Sequence, residues 1–489
     1  MSSASAEAAP SRVSIANLLG ESAIYGLAKI VDPLIGFVLL PVISAILSRA
    51  DYGFISFFTL VSTVFFTVVS LGVHQAFLRF FTESDDPAHR GRVAGTAIAL
   101  TIAYWALVAP IGVYFARPLA SLVFASADPT LIYILLTLAL VETLDALGCN
   151  LLQASGRAWA FLTATVTNTV LVRAAAVALI LSGGGAMGWI AGETAGRTIA
   201  MVVVLAIALP RLPVAADRST ARQLTWYGAA LVPAMLSFYL MTITDKLVIR
   251  WAVSDWEEQI GLYAVGERIA SIMHLTNMAI ILAWQRFAFS NMHRDDGGGL
   301  IARGLRLYFV GAGLAAVGLI VLGDDLMRFM INDRFHAGIP VIAPLTAAAL
   351  LGGLANLTDI GLHRRKLPHV ISLVGGLSAA INVALNVYFV PRYGFVAAAW
   401  STLVSQSIRL VVVFAVSQWA YTLPMDWGRI GVAAALYGVT IAVAILLDAW
   451  PIQTSIIAAL PIILWLLPLW TPDERQTVRK HVRRLAARL

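Results

Sequence analysis

Long apolar blocks separated by short polar breaks dominate this chain. The first of them, Ala23 to Ser48, already exceeds the roughly 20 apolar residues that carry a helix across a bilayer. Similar blocks recur at about 23–48, 53–78, 93–115, 129–152, 158–182, 187–209, 225–249, 260–285, 304–322, 337–361, 367–390, 394–418, 429–448 and 452–470, which makes about fourteen spans. Hydrocarbon offers the backbone no hydrogen-bond partner, so each spanning segment must satisfy its own N–H and C=O groups as a helix. The expected fold is therefore an all-α polytopic membrane protein. Composition agrees: 12% of residues are charged, against about 25% in a soluble domain that must coat itself with polar groups. The polar, small-residue-rich stretch Met1 to Gly20 precedes a segment too long for a cleavable h-region, so no signal peptide is expected.

The formal net charge is +7, and its distribution points to topology, with no nucleic-acid partner. With the N-terminus inside, the inner connections carry Arg12, Arg79, Arg90, Arg92, Arg157, Arg211, Arg218, Arg222, Arg286, Arg294, Arg303, Arg306, Arg364, Arg365, Lys366 and Arg429, plus six basic residues of the C-terminal tail. The outer connections carry only Arg49, Arg117, Arg250, Arg328, Arg334 and Arg392. This bias in short loops places both ends in the cytoplasm. In the tail, Val478, Val482 and Leu485 sit at helical spacing between arginines. That segment either lies on the anionic inner leaflet or merely fixes topology. A single cysteine, Cys149, excludes a disulfide framework and a thiolate metal site. No glycine loop with lysine and serine or threonine is present to cradle a nucleotide phosphate, and no metal or cofactor is expected.

The chain carries signs of a six-span duplication. Asp51-Tyr52-Gly53-Phe54 follows span one, and Ile260-Gly261-Leu262-Tyr263 follows span seven, with Gly53 and Gly261 separated by 208 residues. Gly185-Ala186-Met187-Gly188 parallels Gly394-Phe395-Val396-Ala397 at a spacing of 209, as do valines 202–204 and 411–413. The expected organisation is a cytoplasmic tail (1–22), a six-helix lobe (23–210), a second six-helix lobe (225–418), a helical hairpin (429–470) and a basic cytoplasmic tail (471–489). Six is an even number, so both copies enter from the same side, with a cavity expected between the lobes.

Ionisable residues inside apolar spans cost about 2.5–3.5 kcal/mol each on insertion scales, so each needs a reason. The first lobe contains Lys29, Asp32, Glu142, Asp145, Arg173, Glu193 and Arg197; the second contains Asp245, Lys246, Glu267, Arg268 and Arg409. Lys29 and Asp32 are three apart and Glu193 and Arg197 four apart, so each pair shares a helix face. The alternatives are dry structural pairing and a hydrated, charge-lined cavity. Arg173 and Arg409 have no acidic neighbour within a turn on their own helix, which makes them candidates for holding an external anion; a diphosphate matches arginine's bidentate geometry. Asp32, Glu142, Asp145, Asp245 and Lys246 are candidates for ion coupling, with interfacial anchoring the alternative for Asp245 and Lys246. Pro33 and Pro41 in span one and Pro233 in span seven are candidate hinges, or else inert kinks.

Several stretches resemble the polysaccharide-transporter branch of the multidrug/oligosaccharidyl-lipid/polysaccharide exporter superfamily, the O-antigen-type flippases. They are Ser48-Arg49-Ala50-Asp51-Tyr52-Gly53, Thr244-Asp245-Lys246, Gly261-Leu262-Tyr263-Ala264-Val265, and Ile381-Asn382-Val383-Ala384-Leu385-Asn386 running to Pro391-Arg392-Tyr393-Gly394. Ala397-Ala398-Ala399 departs from the family's usual glycine followed by alanines. The resemblance implies two six-helix lobes, inward- and outward-open states, and a location in the bacterial inner membrane. It also implies undecaprenyl-diphosphate-linked oligosaccharide repeat units as cargo, with membrane lipids and polysaccharide polymerase or assembly proteins as partners. A cationic cavity is a family feature; its placement at Lys29, Arg173, Arg197 and Arg409 rests on the charge argument alone. The rival functions are a multidrug exporter that uses Asp32, Glu142 and Asp145 for ion coupling, and a membrane glycosyltransferase or polysaccharide polymerase. The enzyme needs an acidic cluster on a sizeable outer loop, and Asp324-Asp325 sits beside a short one.

Overall fold

The computed structural model describes residues 15–476 apart from 211, 212, 214, 448 and 473. Residues 1–14 and the end of the basic tail from 477, with Val478, Val482 and Leu485, lie outside the described residues. Along the chain the helices are α1 (Ile15–Val38), α2 (Leu40–Ile46), α3 (Arg49–Val69), α4 (Val73–Phe81), α5 (Pro87–Tyr114), α6 (Ala116–Phe124), α7 (Thr130–Ala154), α8 (Ala158–Leu181), α9 (Gly185–Ala208), α10 (Arg218–Ala252), α11 (Trp256–Asn291), α12 (Gly297–Met330), a 3-10 turn (Asp333–Val341), α13 (Ile342–Thr358), α14 (Ile360–Arg364), α15 (Pro368–Tyr393), α16 (Phe395–Ala420), α17 (Trp427–Leu447) and α18 (Trp450–Leu466). Each apolar block of the sequence coincides with one of these helices or with a run of them joined at a break.

Eleven of the described helices are long and apolar enough to cross a membrane, and α18, at 17 residues, is a shorter apolar helix. Two more, α10 and α11, run for 35 and 36 residues. They are long enough to span but carry charge along their length, including Asp245, Lys246 and Arg250 on α10 and Glu257, Glu258, Glu267 and Arg268 on α11.

Local chemistry sets the boundaries. Pro41 lacks the N–H that would continue the ladder of α1, and the helix breaks just before it, between Val38 and Leu40. Pro33 and Pro233 lie inside α1 and α10 without ending them. Between α3 and α4 the backbone passes through two left-handed residues, Leu71 (φ 45°) and Gly72 (φ 66°). A Cβ on Gly72 would lie 2.5 Å from the carbonyl oxygen of Gly228, so glycine is required there both by conformation and by the approach of α10. Asp86 starts α5 by accepting from the amides of Ala88 and His89, with Pro87 in the first turn. Asp217 precedes α10 and accepts from the Thr220 amide and hydroxyl and the Ser219 hydroxyl. Those donors pull its carboxyl down to about 2.

By contact the chain divides into two compact units: Met1–Leu39 with Phe58–Phe238, and Leu40–Phe57 with Tyr239–Leu489. The first is built around Val73, Phe77, Phe81, Ala97, Leu147, Leu152 and Leu224. The second has one core around Met273, Trp284, Leu305, Tyr308 and Leu357, and another where Val310, Val317 and Val321 of α12 meet Tyr437 of α17 and Leu460 and Leu464 of α18.

The second unit includes the early segment 40–57. There Arg49 donates from Nε to the carbonyl of Arg334 and reaches Glu258 at 3.8 Å, while Arg334 donates to the carbonyls of Leu47 and Ala45. Gly53 and Gly261 pack directly on each other's helices: a Cβ on Gly53 would fall on the Glu257 carbonyl, and one on Gly261 on the Arg49 carbonyl. The two glycines therefore meet in a backbone contact between α3 and α11 in which neither position has room for a side chain.

Candidate functional site

The first unit gathers charge around α8 and α9, and small residues bring those helices together. Gly188, Gly192, Gly196 and Ala200 repeat every fourth residue along one face of α9. A Cβ on Gly192 would lie 2.5 Å from the Ala175 carbonyl oxygen, and one on Gly196 would lie 2.7 Å from that of Leu171. Small residues at this spacing let two membrane helices approach to backbone contact. Glu193 and Arg197 follow directly after the two glycines, and Arg173 lies on the facing helix, so packing and charge placement have one cause.

The result is a ladder of alternating charges. Arg173 reaches Asp32 of α1 at 3.1 Å and Glu193 of α9 at 3.7 Å. Arg197 reaches Glu142 of α7 at 3.3 Å and Glu193 at 3.4 Å. Both arginines approach the same oxygen, Oε1 of Glu193, while its Oε2 accepts from the Trp189 indole at 3.2 Å. The Arg173 guanidinium also lies 5.9 Å from the Trp189 ring centroid, within cation–π range. Next to the ladder, Asp145 accepts from the Asn168 amide at 2.7 Å. The Nε–H groups of Arg173 and Arg197 and Oδ1 of Asp145 are buried without a hydrogen-bond partner. Asp32, Glu142, Asp145 and Glu193 set four carboxylates against two guanidiniums. The side chain of Lys29 lies outside the described residues.

In the second unit Asp245 is buried, 7% exposed, inside a shell of donors. Its Oδ2 accepts from the Tyr263 hydroxyl at 2.5 Å and the Thr402 hydroxyl at 2.8 Å, and its Oδ1 from the Asn386 amide at 2.7 Å. Asn386 also donates to Asn382 one turn earlier, and Asn382 donates to Thr402. Four helices, α10, α11, α15 and α16, thus converge on one carboxylate. Beside it Lys246 pairs with Glu267 at 2.7 Å. Arg409 donates to Asn356 at 2.6 Å and to Gln406 at 3.4 Å.

The sequence-derived residues therefore fall into three places. Arg173, Arg197, Asp32, Glu142 and Asp145 come together; Asp245 and Lys246 occupy a second cluster; Arg409 has neutral amides as its hydrogen-bond partners and the Asp359 carboxylate as its electrostatic neighbour. Arg173, which lacks an acid on its own helix, takes carboxylates from two others. Asp32, on a face shared with Lys29, is placed against Arg173. The hub residue Glu193 drew notice in the sequence only as the helical neighbour of Arg197. Asn168, Trp189 and Thr402 carry no sequence signal that separates them from other residues in a span, whereas Tyr263 and Asn386 lie in the stretches that resemble the transporter family, which single them out without indicating that they meet at Asp245.

Residues 42–340 match the model of the family described as "Polysaccharide biosynthesis protein". A segment of 188 residues is 26% identical to the "Probable flippase AglR" of Haloferax volcanii. That match covers 37% of this chain and 39% of the relative, so the chain spans about two fifths of that relative's length. Among solved structures, the fold is similar to "Lipid II flippase MurJ, inward closed conformation", with a TM-score of 0.70 and 14% identity over 91% of this chain and 98% of that one. It is also similar to an inward-facing multidrug resistance MATE family transporter of the MOP superfamily, with a TM-score of 0.56 and 12% identity over 86% and 96% of the two chains.

Proposed function

The chain belongs to the polysaccharide biosynthesis protein family, and from that membership we propose that it is a flippase for lipid-linked oligosaccharide. Its cargo is a saccharide on a polyprenyl diphosphate, undecaprenyl in a bacterial inner membrane, moved from the inner to the outer leaflet by alternating access. The protein acts as a carrier, with both ends cytoplasmic as the loop arginines favour. The observation that carries this reading is the convergence of Arg173 and Arg197 on one oxygen of Glu193. Two guanidiniums within reach of a single anionic oxygen form a site for the adjacent phosphates of a diphosphate, because arginine donates in a fixed fork that fits phosphate oxygens. A headgroup crossing hydrocarbon loses its hydration, and these donors replace it. The likeness to a probable flippase and, in fold, to a lipid II flippase supports a lipid-borne cargo.

The remaining candidates take roles around this grip. Lys29 on α1 and Arg409 on α16 are the further cationic candidates, each in its own unit. Asp245, with Lys246 close by, is the coupling carboxylate; Asp32, Glu142 and Asp145 balance the arginines as the ladder opens and closes. Pro33, Pro41 and Pro233 provide bending points in α1, α2 and α10.

Replacing both Arg173 and Arg197 with glutamine should abolish translocation while protein still accumulates in the membrane. Each hydrogen bond to a charged partner contributes about 1.5–3 kcal/mol, so each single variant should lose roughly ten- to a hundredfold in transport rate. The assay is deletion of the gene, complementation with each variant, and analysis of lipid-linked saccharide in the two leaflets. Accumulation of repeat units on the inner leaflet with the double variant supports the reading; full transport with both arginines replaced rejects it.

A second reading, export of cationic amphiphiles, is favoured by one observation, the four carboxylates set against two guanidiniums around the ladder. Overexpression that confers resistance to cationic dyes and leaves the lipid-linked saccharide pools unchanged would select it.

A further inference from the structure

We propose that Glu193 is an internal stand-in for the cargo's phosphate, a carboxylate that occupies the diphosphate's place between Arg173 and Arg197 when the carrier is empty and is displaced when cargo arrives. The inference rests on the flippase reading and adds to it a residue that governs occupancy of the site.

Three observations carry it. The first is position. Oε1 of Glu193 lies 3.7 Å from Arg173 and 3.4 Å from Arg197, bridging two guanidiniums from different helices as one phosphate oxygen would. The second is looseness. Charge-assisted N–H···O contacts close to about 2.7–2.9 Å when they are made well. Pairs elsewhere in this protein do so: Lys246 meets Glu267 at 2.7 Å, and the buried Arg306 meets Glu474 at 2.5 Å. All four arginine contacts of the ladder are longer, from 3.1 to 3.7 Å. A carboxylate held this loosely can be exchanged. The third is unused donor capacity. The Nε–H of each arginine is buried and unpartnered, so each guanidinium has already lost water on an edge that Glu193 leaves unfilled. A diphosphate has enough oxygens to bond the edges Glu193 takes and also the two it leaves open.

This arrangement answers a problem particular to a carrier of anions. When the cargo departs, two guanidiniums would face each other in a low-dielectric span with no negative charge between them, which is costly. Glu193 neutralises them for the empty return, and on displacement its Oε2 keeps the Trp189 indole as a partner. Asp32 and Glu142 hold the outer sides of the two arginines throughout.

Glu193→Gln therefore has opposite effects on binding and turnover. The glutamine keeps the size of the side chain and the indole contact but no longer competes as an anion. Binding of a soluble short-chain polyprenyl diphosphate to purified full-length protein should tighten about tenfold, equivalent to about 1.4 kcal/mol. Translocation in reconstituted vesicles should slow, because cargo release and the empty return lose the negative charge between the two arginines. A merely structural glutamate would weaken both. Glu193→Asp, too short to bridge both arginines, should tighten binding to a smaller degree and carries the same test if the glutamine variant does not fold. Affinity unchanged or weakened in both Glu193 variants, while Arg173→Gln weakens it, overturns the stand-in role and leaves the flippase reading intact. Affinity indifferent to Arg173→Gln and Arg197→Gln overturns both.

Discussion

Replacing Gly192 with leucine should remove transport altogether and lower the stability of the purified protein by about 3 kcal/mol or more, beyond the usual cost of overpacking a core. Even one added carbon at Gly192 would sit 2.5 Å from the Ala175 carbonyl oxygen and 2.6 Å from the Ala176 Cα, both backbone atoms that no rotamer change can move aside. The helices α8 and α9 would have to separate, and Arg173 and Glu193, one on each, would separate with them. Gly375 of α15 is the control, since a Cβ there meets no atom within 4 Å, and Gly375→Ala should leave transport and melting behaviour unchanged. Thermal unfolding followed alongside vesicle transport measures both effects. Wild-type behaviour from the Gly192→Leu protein would mean that the close approach of the two helices does not hold the charges in place.

A comparable loss is expected at Asp245, with a contrast between two substitutions that separates folding from function. Asp245→Leu leaves the Tyr263 hydroxyl, the Asn386 amide and the Thr402 hydroxyl without their acceptor in a buried setting. Each orphaned donor costs about 1–3 kcal/mol, and the variant should fail to accumulate as folded protein. Asp245→Asn keeps the shell. Its oxygen can take the Asn386 amide while its own amide donates to the two hydroxyls, which rotate to accept. That variant should fold and melt near wild type yet lose at least about tenfold in transport, because the charge is gone. Transport at the wild-type rate from Asp245→Asn would reduce the carboxylate to a structural plug.

The fold was legible in the sequence because hydrocarbon imposes a single solution on long apolar segments, so block length suffices to lay out the helices. The breaks were partly legible, with Pro41 marking the interruption of α1. The site was less so, for a geometric reason. Spacing along one helix reveals partners within a turn, and it did find Glu193 with Arg197. Arg173 binds Asp32 across 141 residues of chain, and Asp245 meets Asn386 and Thr402 across 141 and 157. Partnerships that long depend on how helices pack. The signal that could have anticipated one of them was the four-residue repeat of small side chains at Gly188, Gly192, Gly196 and Ala200, which marks the face of α9 that draws α8 in.

The placement of residues 40–57 with the second unit has a consequence for biogenesis. This segment leaves the ribosome early, yet Arg49 finds its carbonyl partner at Arg334 and Ser44 finds the Asn332 amide, 285 and 288 residues later. At about 5–20 residues per second of synthesis, roughly 15–60 s pass before those partners exist. The nascent chain must hold an arginine and a glycine-faced helix end at the bilayer surface for that interval. A ribosome halted midway would therefore release a fragment with an unfinished seam, a substrate for membrane quality control.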